Sequence, residues 1–160
     1  MWSKRSSLKT SGTMPTEPRP LFIVNVEGAI LRGERYLMIL RGERESHAAG
    51  TLSMPGGKVE LDEIGDDVLE RALRREIREE VGLEVSSIRY LESKSFVADD
   101  GESVVDIVFL CICKEGEAVI GDPEEVAELH WLRAQEVYAH PKTPSWIHRS
   151  IEKAEEARLK

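Results

Sequence analysis

The chain has little cysteine, no long apolar run and no surplus of basic charge, and each shortage removes a class of protein. Cys111 and Cys113 are its only thiols. They alternate within an apolar run, so both point to one face of a single strand, a poor geometry for bridging each other. A disulfide-stapled scaffold is thereby excluded, and buried, reduced thiols in a reducing compartment are expected. Further ligands at zinc-site spacing are lacking, and His47, His130, His140 and His148 show no metal-ligand pattern. Against 30 Asp and Glu stand 22 Lys and Arg, a formal net charge of −8. Neither duplex nucleic acid nor an anionic membrane is therefore an expected partner. No stretch is apolar for long enough to span a bilayer or to act as a secretory signal, so a soluble, cytoplasmic protein is expected.

At 160 residues, 41% of them hydrophobic, the chain suits one core and one domain. Met1 to Thr16 carries Lys4, Arg5 and Lys9, many Ser and Thr, and no acid. Such a composition reads as a disordered leader in preference to an organelle transit peptide. Three prolines between Pro15 and Pro20 extend it as a linker, giving a leader over 1–20 and a single domain over 21–160. Leu21 to Leu31 and Tyr36 to Leu40 predict a strand pair around the turn Arg32 to Arg35. Arg41 to Gly50 reads as a polar loop, and Pro55-Gly56-Gly57 as a turn between short extended segments. A long helix follows, with Asp66 or Asp67 as its cap, apolar residues from Val68 to Val81 at helical spacing, and Gly82 to end it. Strands are predicted over Ser87 to Val97, Val104 to Cys113 and Val126 to Leu132, and a surface helix from Ser145 onward. Strands on both sides of a central helix, then a terminal helix, predict an α/β fold with a mixed sheet packed between helices.

At about 100° per residue, Glu76 and Glu80 lie nearly in line on that central helix, with Glu79 about 60° to one side. Leu69, Ala72 and Leu73 share their side, while Arg71, Arg74 and Arg78 fall opposite. Acids meant for water belong with the arginines, so these point along the buried face. Clustered inward carboxylates repel one another and are costly to ionise unless a cation neutralises them. Oxygen-only ligands favour a hard ion, Mg2+ or Mn2+. Just upstream, the Gly56-Gly57 turn allows close backbone approach to a phosphate or metal, and Lys58 adds a positive charge.

Read together, Gly57, Glu63 and the run Arg75-Glu76-Ile77-Arg78-Glu79-Glu80-Val81-Gly82-Leu83 resemble the Nudix box, G-x5-E-x7-R-E-U-x-E-E-x-G-U with U aliphatic. Its second half matches at every specified position. The likeness runs over Leu21 to Ala139 and implies an α/β/α sandwich; the leader and the last helix lie outside it. One departure stands out: the interval from Glu63 to Arg75 is four residues longer than the pattern. Glu63 therefore competes with Glu60, Asp62 and Asp67 as the partner of Arg75. By resemblance, Glu79, Glu80 and Arg75 belong to the catalytic machinery, and Glu76, Glu79, Glu80 and the carbonyl of Gly56 hold divalent metal. Lys58 and Arg41 become candidates for phosphate contacts. A further acid from a later loop is expected in the family; Glu125 ranks first, ahead of Glu124, Asp99, Asp100 and Glu102, with Glu63 also in reserve. Trp131 either stacks on a base or fills the core.

The resemblance implies a hydrolase that cuts the diphosphate linkage of a small nucleotide-like substrate, with nucleoside triphosphates the first candidates. Family members acting on ADP-ribose commonly carry a proline some fifteen residues after the box, and none lies between Glu84 and Asp122; dinucleoside polyphosphate enzymes often have a tyrosine in that region, and beyond Tyr90, which is too early, none appears. A catalytically idle module that binds a nucleotide as a sensor is the alternative, although its mark, degenerate box acids, is not found. An isoprenoid diphosphate isomerase would share the fold, without a specific signal here. A homodimer is compatible with the sequence.

Overall fold

Alternating apolar positions in the strands divide the molecule into three layers. The structure, a computed structural model, describes residues 17–160; the leader expected over 1–20 lies outside the described residues up to Thr16, and 17–20 form no regular element. The elements follow in the order β1 (Ile23–Arg32), β2 (Arg35–Arg41), β3 (Leu52–Ser53), β4 (Gly56–Lys58), α1 (Val68–Val81), β5 (Ser87–Val97), β6 (Ser103–Ile112), β7 (Val126–Arg133), α2 (Ala134–Ala139) and α3 (Ser145–Arg158). They build one seven-stranded sheet ordered β3-β2-β1-β6-β5, with β4 on β1 and β7 on β2. Only the β1–β6 pair is parallel; the others are antiparallel.

On one face Val26, Ile30, Leu37, Ile39, Phe109 and Cys111 pack with Ala72, Leu73, Ile77 and Val81 of α1. On the other, Ala29, Leu31, Tyr36, Met38, Val108 and Leu110 pack with Ile147, Ile151 and Ala154 of α3 and with Val137 of α2. The period of two along each strand thus feeds two apolar interfaces, the arrangement of an α/β/α sandwich. Both cysteines are buried and free, in the α1-side core. Among the described residues no helix is long and apolar enough to cross a membrane.

Two local expectations need correction, and one element was not foreseen. Asp67 does precede α1, but its φ of 53° turns it left-handed and its side chain makes no capping bond. The terminal helix is less a surface element than a structural layer, since every third or fourth residue from Ile147 to Ala154 faces the sheet. The short helix α2 had no sequence signal because Arg133 stands where Ser, Thr, Asp or Asn would announce a start; Glu136 instead accepts the Arg133 backbone N–H at 2.6 Å.

Gly82 ends α1 with φ 68°, donating its N–H to the Arg78 carbonyl at 3.0 Å, and a Cβ there would crowd Val119. Gly82→Ala should therefore cost about 1–2 kcal/mol from the left-handed backbone alone. A thermal melt checks this, with Tm expected to fall by about 2–4 °C per kcal/mol. An unchanged Tm would show that α1 ends by other means.

Candidate active site

One cavity of about 800 Å³ is lined from both helical layers and the sheet between them. Glu76 and Glu80 reach it from α1, Glu27 and Asn25 from β1, Gly56 to Lys58 from β4, and Glu125 from the loop before β7. The pairing of β4 with β1 brings these together: Glu27 stands opposite Gly56 and Val26 opposite Gly57. Gly56 could not carry a side chain, since a Cβ there would strike the β1 backbone, and one on Gly57 would displace the Glu76 carboxylate. The bare turn is what lets α1 bring its acids against β4, and the Gly56 N–H donates to Glu80 Oε2 at 3.0 Å.

Burial dominates the chemistry of these acids. Glu80 is 7% exposed, and loss of water pushes its pKa up to about 8 despite the Gly56 hydrogen bond. Burial likewise raises Glu76, against the opposing pull of Arg75, and Glu125, where Asp122 and Glu45 add repulsion. Glu27 is raised to about 8, first by burial and then by Asp106. Its Oε2 atom is buried without a hydrogen-bond partner. Four carboxylates turned to one cavity, one with an orphaned oxygen, form a hard-oxygen donor set that suits a divalent cation. Among the described residues, however, no three acidic, His or Cys side chains are already gathered into a closed cage.

Arg75 organises the helix side. Its Nε and Nη2 donate to the two oxygens of Glu63 at 2.8 and 3.0 Å, a bidentate fork. Nη1 donates to Glu76 at 2.7 Å and to Glu79 at 3.2 Å, and Nη2 also reaches the Lys58 carbonyl at 3.0 Å. Glu63 is thus the partner of Arg75 despite the longer interval. Glu60 lies at 3.6 Å, and Asp62 and Asp67 form no ion pair with Arg75. The additional residues form a compact loop that Arg71 braces through the Ile64 and Asp66 carbonyls.

Not every expected residue converges. Glu79 is 59% exposed, held by Arg75, and does not line the cavity, so the expected convergence of three acids reduces to Glu76 and Glu80. Its 60° offset carries it past the cavity edge to the guanidinium one turn back. Arg41 lines the cavity and is clamped by Glu45 at 2.7 Å and the His47 carbonyl at 3.0 Å. Lys58 also lines it, largely exposed, with Glu102 at 3.9 Å. Glu125 faces the cavity and Glu124 does not. Trp131 lies under the Arg32 guanidinium at 4.5 Å and packs on the core, away from the cavity. Glu27 was missed. Two residues after Asn25 and alternating with Val24 and Val26, it reads as the outward polar side of a half-buried strand, and only the packing of β4 and α1 makes that side a cavity wall.

Two pH effects follow. Glu63 is held down to about 2, first by its hydrogen bonds from Arg75. Its contribution to stability is complete above its ordinary 4.5 and is lost as pH falls from there toward 2. Glu63→Gln should lower Tm at neutral pH and flatten the acid limb of the melting profile; an unaltered limb would rule out the fork as its source. Glu80 and Glu27, raised to about 8, stay largely protonated at neutral pH without a cation. Divalent-ion uptake at pH 7 should release protons, and this release should shrink as pH passes 8. Calorimetric titration in two buffers of different ionisation heat reads it, and a buffer-independent heat at pH 7 would contradict the burial argument.

Comparisons with known proteins agree with this geometry. A family profile described as the NUDIX domain matches residues 22–153. The match takes in most of α3, which the sequence likeness had left outside. The NAD-capped RNA hydrolase NudC of Escherichia coli O1:K1 is 32% identical over 114 residues, covering 71% of this chain but only 41% of NudC. The MutT NUDIX hydrolase of Burkholderia pseudomallei superposes with a TM-score of 0.71 at 28% identity, over 83% of this chain and 98% of that one. The MutT protein of Methanosarcina mazei Go1 shares the fold at a TM-score of 0.75 and 22% identity, over 90% and 100% of the two chains. With the profile spanning both helical layers and the box residues gathered around one glycine turn, the chain belongs to the Nudix hydrolase family.

Proposed function

We propose that this protein is a magnesium-dependent pyrophosphohydrolase, able to use manganese, that cuts the diphosphate linkage of a nucleoside triphosphate or of another nucleoside diphosphate joined to a second group. The observation that carries this reading is the set of carboxylates on one cavity wall, Glu80 buried and Glu27 and Glu76 half-buried, one oxygen of Glu27 having no hydrogen-bond partner. In this reading Glu76, Glu79, Glu80 and the Gly56 carbonyl hold the ion, and Glu79 leaves Arg75 to do so. When bound, a divalent ion neutralises charge on the diphosphate and acidifies water. Arg75 keeps the box acids from repelling one another and fixes them to the β4 turn through the Lys58 carbonyl. Arg41, already clamped, offers a fixed guanidinium to phosphate oxygens, while exposed Lys58 can swing toward them. Glu125 supplies the additional acid, as ligand or proton acceptor.

NudC is described as acting on NAD-capped RNA, and the present chain spans about two-fifths of its length. NAD and NAD-capped RNA therefore belong in the substrate panel beside triphosphates, oxidised triphosphates, nucleotide sugars, ADP-ribose and dinucleoside polyphosphates. The test is magnesium-dependent release of pyrophosphate, phosphate or nucleoside monophosphate across that panel. One preferred substrate is expected, with Glu80→Gln folded and slower by several orders of magnitude. Wild-type turnover by folded Glu80→Gln would remove Glu80 from the mechanism. Silence across the panel, despite bound magnesium, would favour a nucleotide-binding module.

A further inference from the structure

Helix α3 takes no part in the chemistry proposed above, yet it sends Trp146 and Arg149 into the wall of the same cavity. Three residues apart, they are neighbours on one helix face. The rest of the helix is spent on the core, with Ile147, Ile151 and Ala154 fully buried, whereas Trp146 keeps 38% of its surface exposed. Among the described residues no ring or cation stacks on this indole, which offers the cavity a flat apolar surface.

The charges around it are mostly committed. Asn25, Asp106 and Lys94 stand in one register row across β1, β6 and β5. Asn25 Nδ2 donates to Asp106 Oδ1 at 2.8 Å. The Lys94 ammonium lies 3.5 Å from Asp106 and 3.7 Å from Glu92, and it donates to Ser150 at 3.1 Å. Asp106 is only 1% exposed; its Oδ2 has no hydrogen bond and is balanced by the Lys94 charge alone. Arg41 has Glu45, and Lys58 has Glu102. Arg149 lines the cavity, is exposed, and makes no side-chain hydrogen bond or ion pair among the described residues.

The geometry points to Trp146 and Arg149 as a specificity subsite for the nucleotide unit of the substrate: a planar heterocyclic base stacks on the Trp146 indole, and an acceptor pair on the same unit takes the Arg149 fork. Its identification as a substrate subsite rests on the hydrolase reading above; nucleotide binding itself does not. A guanidinium matches paired acceptors, whether two phosphate oxygens or two acceptor atoms on a base edge. A cavity of about 800 Å³ has room for a nucleotide and the group joined to it.

The test is calorimetric binding of AMP, GMP, CMP and UMP, their nucleosides and ribose 5-phosphate to the full chain in EDTA, where no hydrolysis proceeds. At least one nucleoside monophosphate should bind saturably and more tightly than ribose 5-phosphate. Trp146→Ala should raise its Kd roughly tenfold or more. Trp146→Phe should restore most of the affinity, which a merely structural loss would not allow. Arg149→Gln should also weaken the nucleotide. If phosphate is the group held, the nucleoside is untouched by that change; if it is the base edge, the nucleoside weakens as well. Equal Kd values in wild type, Trp146→Ala and Arg149→Gln overturn the proposal, as does the absence of saturable nucleotide binding. Hydrolysis with an unchanged KM in Trp146→Ala would refute this subsite while leaving the hydrolase intact. Nucleotide binding without hydrolysis of any panel member would do the reverse.

Discussion

The guanidinium of Arg75 is the contact on which the site depends. Its donors tie Glu63 in the loop, Glu76 and Glu79 on α1 and the Lys58 carbonyl at the end of β4 into one unit. Without it, like-charged side chains on adjacent turns would push apart, and Glu63 in the loop between β4 and α1 would lose its tie to the helix, leaving Arg71 to brace that loop alone. A planar fork can bridge a carboxylate bidentately and still reach three other oxygens; an ammonium cannot.

Around this unit the sheet supplies a second constraint. Because Gly56 and Gly57 pair with Glu27 and Val26, β4 is held flat against β1, and the missing side chains leave space that the Glu76 carboxylate occupies. Burial then does what distance alone would not. It raises Glu80 and Glu27 to about 8 and leaves one Glu27 oxygen without a hydrogen-bond partner, so both acids stay largely protonated at neutral pH, and in the proposed mechanism a cation displaces those protons. The same packing that covers the apolar face of α1 thus creates the chemistry at its edge. At the other side of the cavity, α3 adds an indole and a guanidinium that has no ion pair among the described residues.

Much of this was legible in the sequence, because two periodicities carry it. The strand from Ser87 to Val97 and the helix beginning at Ser145 have the expected starts, and the inward turn of Glu76 and Glu80 follows from 100° per residue. The partner of Arg75 could not be read, since the longer loop admits several acids and only its fold back onto itself selects Glu63. Glu79 was placed with its neighbours by angle, but helical angle says nothing of an arginine one turn away that draws it outward. Glu27 could not be read because its alternation with Val24 and Val26, beside Asn25, is that of a solvent-facing strand position. The contribution of α3 was hidden for a different reason: which face of a helix meets a cavity depends on the register of the strands beneath it.

The most direct test of the central claim, that Arg75 arranges the acids for a divalent ion, is a Mn2+ titration followed by electron paramagnetic resonance, comparing wild type with Arg75→Lys. The account predicts that wild type removes free Mn2+ at low micromolar-to-millimolar concentrations, while Arg75→Lys, its charge retained and its fork lost, binds about tenfold or more weakly. Equal Mn2+ affinity in the two folded proteins would contradict it.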